Sequence, residues 1–405
     1  MDGSLWTEMC DRIVGGATSV CLRKEVGTPM WEASAEDVER LVTAMALTTT
    51  AALVALDLKF ASMSRILAQS ILDRLPLSVV EVNMPYTPRG PPDGPYDPSF
   101  RFPAHLRVVA YHSGAGVDAC ALFEIPALQK LTFWFYHGND PAANAALFDL
   151  VHRIETLNLP EHDLDEASDR LLWDAVATST TLHTLDVATS WSAGSTDDYI
   201  VHALARNTTL TTLRCGRLGM HPDTWLPHVL ETNRTLTSID AHPAGQHAAS
   251  SLTAVALARN TTLTAISLPC KYDLAGLADI IDACTPQLTA LTTWIHSRGP
   301  DAYRICHALR ANESLTHLNL IMLEDPGLQA LADGIAANTS LLSVRLDHKW
   351  TTQDVDILVA AFEQNTTITN VLLAGPTEVT PAHLDHISRI TERNIAIASM
   401  GIGLK

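Results

Sequence analysis

Lysine is scarce in this chain of 405 residues: it occurs at Lys24, Lys59, Lys130, Lys271, Lys349 and Lys405. Against 45 Asp and Glu there are 27 Lys and Arg, a formal net charge of −18. Nucleic-acid binding needs a basic stripe to neutralise phosphates, and the composition argues against one. Metal and redox cysteine pairs are also missing. The seven cysteines (Cys10, Cys21, Cys120, Cys215, Cys270, Cys284 and Cys306) form no C-x-x-C pair. Their odd number fits a reducing compartment better than a disulfide framework. No apolar run approaches the length of a membrane span. The first residues, MDGSLWTEMCDR, lack the basic and apolar regions of a secretory signal. The common signatures of phosphate loops, zinc hydrolases, serine hydrolases and dinucleotide folds do not occur. The sequence is therefore read as non-enzymatic, with no cofactor, no metal, no nucleic acid and no membrane.

What the chain has is apolar order. Hydrophobic residues make up 47% and charged residues 18%, the balance of a folded protein. A unit of the form N-x-[TS]-L-x-x-[LIV]-x-[LVA] starts at Asn207, Asn233, Asn260, Asn312, Asn338 and Asn365. Weaker copies extend it. Their first apolar positions are Leu53, Leu77, Leu106, Leu128, Ile154, Leu182, Leu210, Leu236, Leu263, Leu288, Leu315, Leu341 and Ile368. That makes thirteen units with a mean spacing of about 26 residues. Helical periodicity fills the gaps, as in 198–206, 326–337 and 354–364. Acids open many of these helices and arginines close several, matching the helix dipole. The Asn after each helix is expected at a left-handed C-terminal cap. Each unit is then strand, loop, helix and turn, too small to bury its apolar faces unless neighbours stack.

These motifs resemble ribonuclease-inhibitor-type leucine-rich repeats over roughly residues 50–400. The resemblance implies an α/β solenoid, a horseshoe with parallel strands on the concave face and helices on the convex face. It also implies a protein partner. The family usually carries Asn or Cys two residues after the last leucine, and here that place holds Tyr136, His162, Ser190, Leu218, Lys271, His296, Leu323 or Lys349. The strand-to-helix loops must then satisfy their backbone groups in another way. For a bacterial source, the resemblance reaches to host-directed leucine-rich-repeat effectors associated with virulence. The expected location is cytoplasmic, or a host cell entered by a signal-peptide-independent route.

Three regions are expected: an N-terminal cap at 1–50, the repeat array at 51–380 and a C-terminal capping repeat at 381–405. In the cap, Ser34 and Asp37 stand at capping-box spacing, and Val20–Leu22 reads as a degenerate first strand. Residues 84–104 contain seven prolines, so a loop replaces one helix there. Its P-x-x-P spacing also fits an SH3-like groove, with a structural loop as the favoured reading. The last region reads as a helix from His383 to Arg393 and a strand from Ile395.

The alternation of strand side chains places a mid-strand row facing the concavity: Asp57, Glu81, Ala110, Thr132, Asn158, Asp186, Arg214, Asp240, Ser267, Thr292, Asn319, Arg345 and Leu372. Beyond it, large aromatic and basic side chains concentrate along one edge. The candidate partner-binding residues are His112, Trp134, Tyr136, His162, Trp191, Arg214, Arg217, His242, Tyr272, Trp294, His296, Arg345, His348 and Trp350. Such residue types are enriched at interface hot spots, although loops folding over these rings would instead make them a second core layer. His383 and His386 have the spacing of a metal pair, but without a third ligand they read as solvated. Arg206, Arg259 and Arg310 invite comparison with the catalytic arginine of GTPase activators, yet their helix-end positions already follow from the dipole. The reading is a protein-binding scaffold. A GTPase activator or a structural oligomerisation module is the alternative, and the oligomeric state is left open.

Overall fold

A computed structural model describes residues 4–14, 17, 19–21, 31–47, 53–58, 61–62, 65–83, 101–113, 122, 124–135, 148–162, 166–189, 197–218, 222–243, 251–297, 302–322, 327–375 and 378–400. The chain forms two compact units, Met1–Trp191 and Ser192–Lys405.

The first unit opens with helix α1 (Ser4–Val14), strand β1 (Ser19–Cys21), β2 (Trp31–Glu32) and α2 (Ala35–Leu47). It continues through β3 (Ala55–Asp57), β4 (Ala61–Ser62), α3 (Arg65–Leu72), β5 (Glu81–Asn83), β6 (Val108–Ser113) and β7 (Lys130–Phe135). A 3-10 turn (Leu150–His152), β8 (Thr156–His162), α4 (Glu166–Thr178) and β9 (Thr184–Thr189) complete it. Its main sheet runs β1-β3-β5-β6-β7-β8-β9, all parallel. The degenerate first strand is present, since Ser19–Cys21 pairs with Ala55–Asp57. The Ser34–Asp37 box also forms: Ser34 Oγ accepts from the Asp37 amide at 3.2 Å, and Asp37 Oδ2 accepts from the Ser34 amide at 3.0 Å.

The second unit alternates more regularly: α5 (Asp197–Arg206), β10 (Thr212–Leu218), α6 (Pro222–Thr232), β11 (Ser238–Pro243), α7 (Ser251–Arg259), β12 (Ala265–Asp273), α8 (Leu274–Asp282) and β13 (Ala290–Ser297). It goes on with α9 (Ala302–Ala311), β14 (His317–Met322), α10 (Leu328–Ala337), β15 (Ser343–Asp347), α11 (Thr352–Gln364), β16 (Asn370–Ala374) and α12 (Pro381–Ser399). Strands β10 to β16 form a parallel sheet in sequence order. Parallel neighbours need a crossover, and the intervening helices supply it. The α/β repeat expected from the sequence is therefore the fold of each unit.

The leucines fill the space between strand and helix. In the unit at Leu210, Leu210, Leu213 and Cys215 are fully buried. Each such side chain contributes roughly 1.5–3 kcal/mol by leaving water. Where the inward position holds Thr293, its hydroxyl is satisfied by donating to the Leu268 carbonyl at 2.8 Å. One register differs from the sequence reading. Leu77 is 80% exposed, and Val79 is the buried first position of its unit. Strand pairing agrees, because Asp57 lies opposite Asn83 and not Glu81. The pattern L-x-V allowed either choice, and the spacing of 26 from Leu53 selects Val79.

The repeating asparagines have a role that a left-handed cap does not describe. Asn338 (φ −75°, ψ 141°) and Asn365 (φ −77°, ψ 136°) are extended. Asn207, Asn233, Asn260, Asn312, Asn338 and Asn365 are all buried. Each Oδ1 accepts the amides two and three residues ahead, at 2.6–3.2 Å. From Asn233 onward each Nδ2 donates to a carbonyl of the preceding repeat: Leu204, Leu230, Ile281, Leu309 and Ile335. One side chain thus shapes the helix-to-strand turn and ties it to its neighbour. Ser179 does the same work in the first unit, accepting from Leu182 N at 3.1 Å and donating to the Val151 carbonyl at 2.8 Å. Other turns use a main-chain oxygen three residues back, from Pro76, Pro103, Ile125 or Thr285. A second ladder runs beside the first. Thr237, Thr264, Thr289 and Thr316 each donate a hydroxyl to the same position one repeat earlier.

The terminal strand expected from Ile395 is replaced by helix, since α12 continues to Ser399. The cause lies at Asn394, whose Oδ1 is occupied by the Arg393 guanidinium at 2.8 and 3.0 Å. It is therefore unavailable to the amides ahead, and no turn forms. Asn394 Nδ2 donates to the carbonyls of Asn365 and Ile368, sealing the last turn of the ladder. Residues 84–100 of the proline-rich loop lie outside the described residues, as do 401–405.

Two outcomes follow. Asn338→Asp keeps the acceptor but points a carboxylate at the Leu309 and Asn312 carbonyls. It should lower the urea-unfolding free energy by about 3 kcal/mol, whereas exposed Asn370→Asp should change it by less than about 0.5 kcal/mol. Gly334 has no room for a methyl group, because a Cβ would stand 3.0 Å from both Cys306 Cα and Leu309 Cδ1. Gly334→Ala should cost about 1–3 kcal/mol through overpacking of α9 against α10, read in the same assay.

Candidate functional site

Strand register lays the mid-strand residues side by side. In the first unit the row is Asp57, Asn83, Ala110, Thr132, Asn158 and Asp186. Asn158 Nδ2 donates to Thr132 Oγ1 at 3.1 Å within it. In the second unit the row is Arg214, Asp240, Ser267, Thr292, Asn319, Arg345 and Leu372. None of these side chains enters the leucine core. Arg345 and Arg214 are exposed, and Leu372 is 47% exposed. The next outward position of the second unit brings half-buried Trp294 beside half-buried Ile321, and Ile321 beside Asp347.

The candidate residues divide three ways. Arg214, Trp294 and Arg345 lie on the strand face, and Arg345 makes no ion pair among the described residues. The backbones of His112, Trp134, His162, Arg217, His242, Tyr272 and His296 lie in β6, β7, β8, β10, β11, β12 and β13. Pairing sets His112 opposite Trp134. The side chains of these seven, and all of Tyr136 and Trp191, lie outside the described residues.

Trp350 requires correction as a rim residue, because it is 2% exposed. Its Nε1 donates to the Ala374 carbonyl at 3.0 Å, and its ring meets His348 edge-on at 5.0 Å. The indole therefore packs as a second core layer against the end of β16. Gly375 permits this: its φ is 104°, and a Cβ there would collide with the His348 carbonyl. His348 is half-buried, with Nδ1 2.9 Å from the Met322 carbonyl.

Several of the remaining chemically suggestive side chains have structural partners. His383 Nε2 lies 3.2 Å from Asp356, and His386 Nε2 lies 2.7 Å from Glu363, so the two imidazoles attach α12 to α11. Among the described residues no cluster of three metal-ligating side chains exists, and no helix is long and apolar enough to cross a membrane. Arg259 pairs with Glu231 at 3.2 Å, while Arg206 and Arg310 stand exposed at helix ends. Burial, then the nearby Asp282 carboxylate, pushes the Cys284 thiol up to about 12. Burial first also raises Cys10 and Cys306. None of these three is poised as a nucleophile near neutral pH.

Sequence reasoning missed the buried asparagine ladder as a load path between repeats, though the N-x-[TS]-L spacing carried the signal. It also had no means of separating Trp350, which follows β15, from Trp294, which lies within β13, because the motif does not set how far each strand runs or what covers its end.

No protein-family model matches the chain, and no curated protein is detectably similar in sequence. Solved structures do align with it. The leucine-rich repeat-containing protein LegL7 of Legionella pneumophila aligns at 12% identity over 93% of this chain and 98% of its own, with a TM-score of 0.37. An internalin, inlF, of Listeria monocytogenes aligns at 15% identity over 96% and 93%, with a TM-score of 0.34. The structure of the Rad7 and Elc1 complex in yeast gives 13% identity over 85% and 83%, with a TM-score of 0.49. These values leave the fold assignment to the repeat and register of the chain itself.

The Cys284 environment has a measurable consequence. Above the ordinary thiol value of 9.0 the unfolded chain loses this proton while the folded chain keeps it to about 12. Stability from this group therefore falls as pH rises through that window. At pH 8 Cys284 should be alkylated by iodoacetamide at least about tenfold more slowly in the folded protein than in urea, by peptide mass spectrometry. Thirteen strand motifs in one spacing, parallel strands joined through helices and leucines closed between them make this an α/β repeat protein of the leucine-rich-repeat type.

Proposed function

We propose that the chain is a non-enzymatic scaffold that captures a protein partner on its strand face and the adjoining rim. The observation that carries this reading is Arg345. It is an exposed guanidinium with no ion pair among the described residues, held between Asn319 and Leu372 on a rigid sheet. One outward position further along, Ile321 on the neighbouring strand and Trp294 on the strand after it are both only half covered. An exposed guanidinium next to Leu372, with an aromatic and an aliphatic side chain on the same face, is the composition of an interface anchor. The order of the parallel sheet means that little conformational entropy is lost on docking.

Three regions serve this scaffold: an N-terminal cap at 1–50, the array at 51–380 and a C-terminal cap at 381–405. Among the described residues Cys10, Cys284 and Cys306 are in no disulfide, which supports a reducing location. That fits the cytoplasm, or a host cell reached without a signal peptide if the protein acts as an effector.

Affinity capture should compare wild type with Arg345→Glu and with Trp294→Ala. Both residues lie outside the leucine core, so melting temperatures should shift by less than about 3 °C. Each variant should lose a partner that wild type retains, with Arg345→Glu weakening it at least about tenfold. Identical partner sets for all three proteins would sink the proposal.

A further inference from the structure

The polar groups nearest Arg345 on the strand face offer hydrogen and no negative charge. Asn319 lies opposite Arg345 on β14, and Leu372 lies opposite it on β16. Asn319 Oδ1 is covered and has no hydrogen-bond partner, so the open end of this carboxamide is its Nδ2. Two residues before Arg345, on the same face of β15, Ser343 Oγ accepts from Asn370 Nδ2 at 3.1 Å. The Ser343 hydroxyl hydrogen is left to donate outward. The carboxylate of β15 is Asp347. It makes no ion pair with Arg345 and lies beside Gly375, where a Cβ would stand 3.2 Å from its Oδ1. Within a chain of net charge −18, Arg345 is thus a cation ringed by neutral donors.

That donor set selects an anion of single charge. One guanidinium balances one carboxylate, and its fork can hold both oxygens. A phosphoryl group carries close to two charges and would stay partly uncompensated. The neighbouring row adds an apolar contact at a fixed distance. Ile321 follows Asn319 on the same face of β14, and Trp294 lies opposite Ile321 on β13. Both are half-buried. From Arg345, Ile321 is one strand across and two residues along, roughly 8 Å by sheet spacing. An extended chain presents side chains on one face every two residues, about 7 Å apart. The two distances match.

We propose that the strand face of the second unit takes an extended, acidic segment of a partner protein, in which an Asp or Glu and a large apolar residue stand two positions apart. The carboxylate accepts hydrogen bonds from Arg345, Ser343 and Asn319. The apolar side chain covers Ile321 and the near edge of Trp294. This inference rests on the scaffold reading, whose site it shares, and adds the charge and the spacing that the partner carries.

Isothermal titration calorimetry of the full chain tests it with blocked peptides of sequence Gly-Glu-Ser-Phe-Gly and Gly-Phe-Ser-Glu-Gly. Matched peptides carry Gln or Lys in place of Glu. At least one Glu peptide should bind with millimolar affinity or better. Its Gln version should bind about tenfold more weakly, the loss expected for hydrogen bonds to a charged group. Its Lys version should not bind. On Arg345→Glu the order should invert, with the Lys peptide binding more tightly than the Glu peptide. A misfolded variant could not produce that inversion. Trp294→Ala should weaken the Glu and Gln peptides by the same factor. Equal binding of Glu and Gln peptides to wild type would overturn the proposal. So would the absence of inversion on Arg345→Glu, no binding of either Glu peptide at about 10 mM, or undiminished binding when Glu and Phe are made adjacent. If partner capture requires Arg345 and Trp294 while Glu and Gln peptides bind alike, the scaffold reading stands and the acidic partner falls. If capture requires neither residue, the scaffold reading falls and takes this inference with it.

Discussion

The stack depends on a carboxamide that reaches in two directions. A parallel β/α repeat has a recurring difficulty at the turn from helix to strand, where the chain reverses and leaves backbone amides with no regular partner. Leucines can close the space between layers, but they cannot satisfy these groups. Asparagine can, because one end accepts and the other donates. Its oxygen takes two amides of its own turn, and its nitrogen takes a carbonyl of the repeat before. Local conformation and inter-repeat attachment are therefore fixed by a single side chain. Serine reproduces this at position 179 because a hydroxyl also donates and accepts.

The fold was largely legible in the sequence because its cause is periodic. Leucines at fixed offsets encode strand alternation, and acids and arginines encode helix ends. The misreadings arose where two local patterns satisfied the same rule. Leu77 and Val79 both begin an apolar alternation, and spacing, strand pairing and burial together select Val79. Asn338 after a helix fits the composition of a left-handed cap, yet its backbone is extended, because the side chain has partners in the neighbouring repeat. Asn394 repeats the motif letter, but Arg393 beside it occupies the oxygen and the helix runs on.

The candidate surface was legible to a lesser degree. Which residues share a mid-strand row follows from alternation, and the pairing of Asn319 with Arg345 and Leu372 follows from equal spacing. Whether an aromatic residue beyond the strand stays outside depends on the loop that follows. Trp350 is drawn under because Gly375 lets the chain pass close to His348 and present the Ala374 carbonyl to the indole. Trp294 stays half covered on the strand itself. Cover of this kind depends on distant main-chain path, which no local pattern encodes.

The ladder also changes how the chain ages. Each rung asparagine from Asn233 to Asn365 sits in a sequence that reads as an acceptor for sugar, yet its nitrogen already donates to main-chain oxygen. The same engagement withholds it from hydrolysis, because backbone amides hold its carboxamide in place and burial excludes water. Deamidation of one rung would replace a donor by a negative charge facing carbonyl oxygen. Neighbouring repeats would then be pushed apart at that rung, so chemical damage in this protein would be read out as a local loss of stacking between repeats.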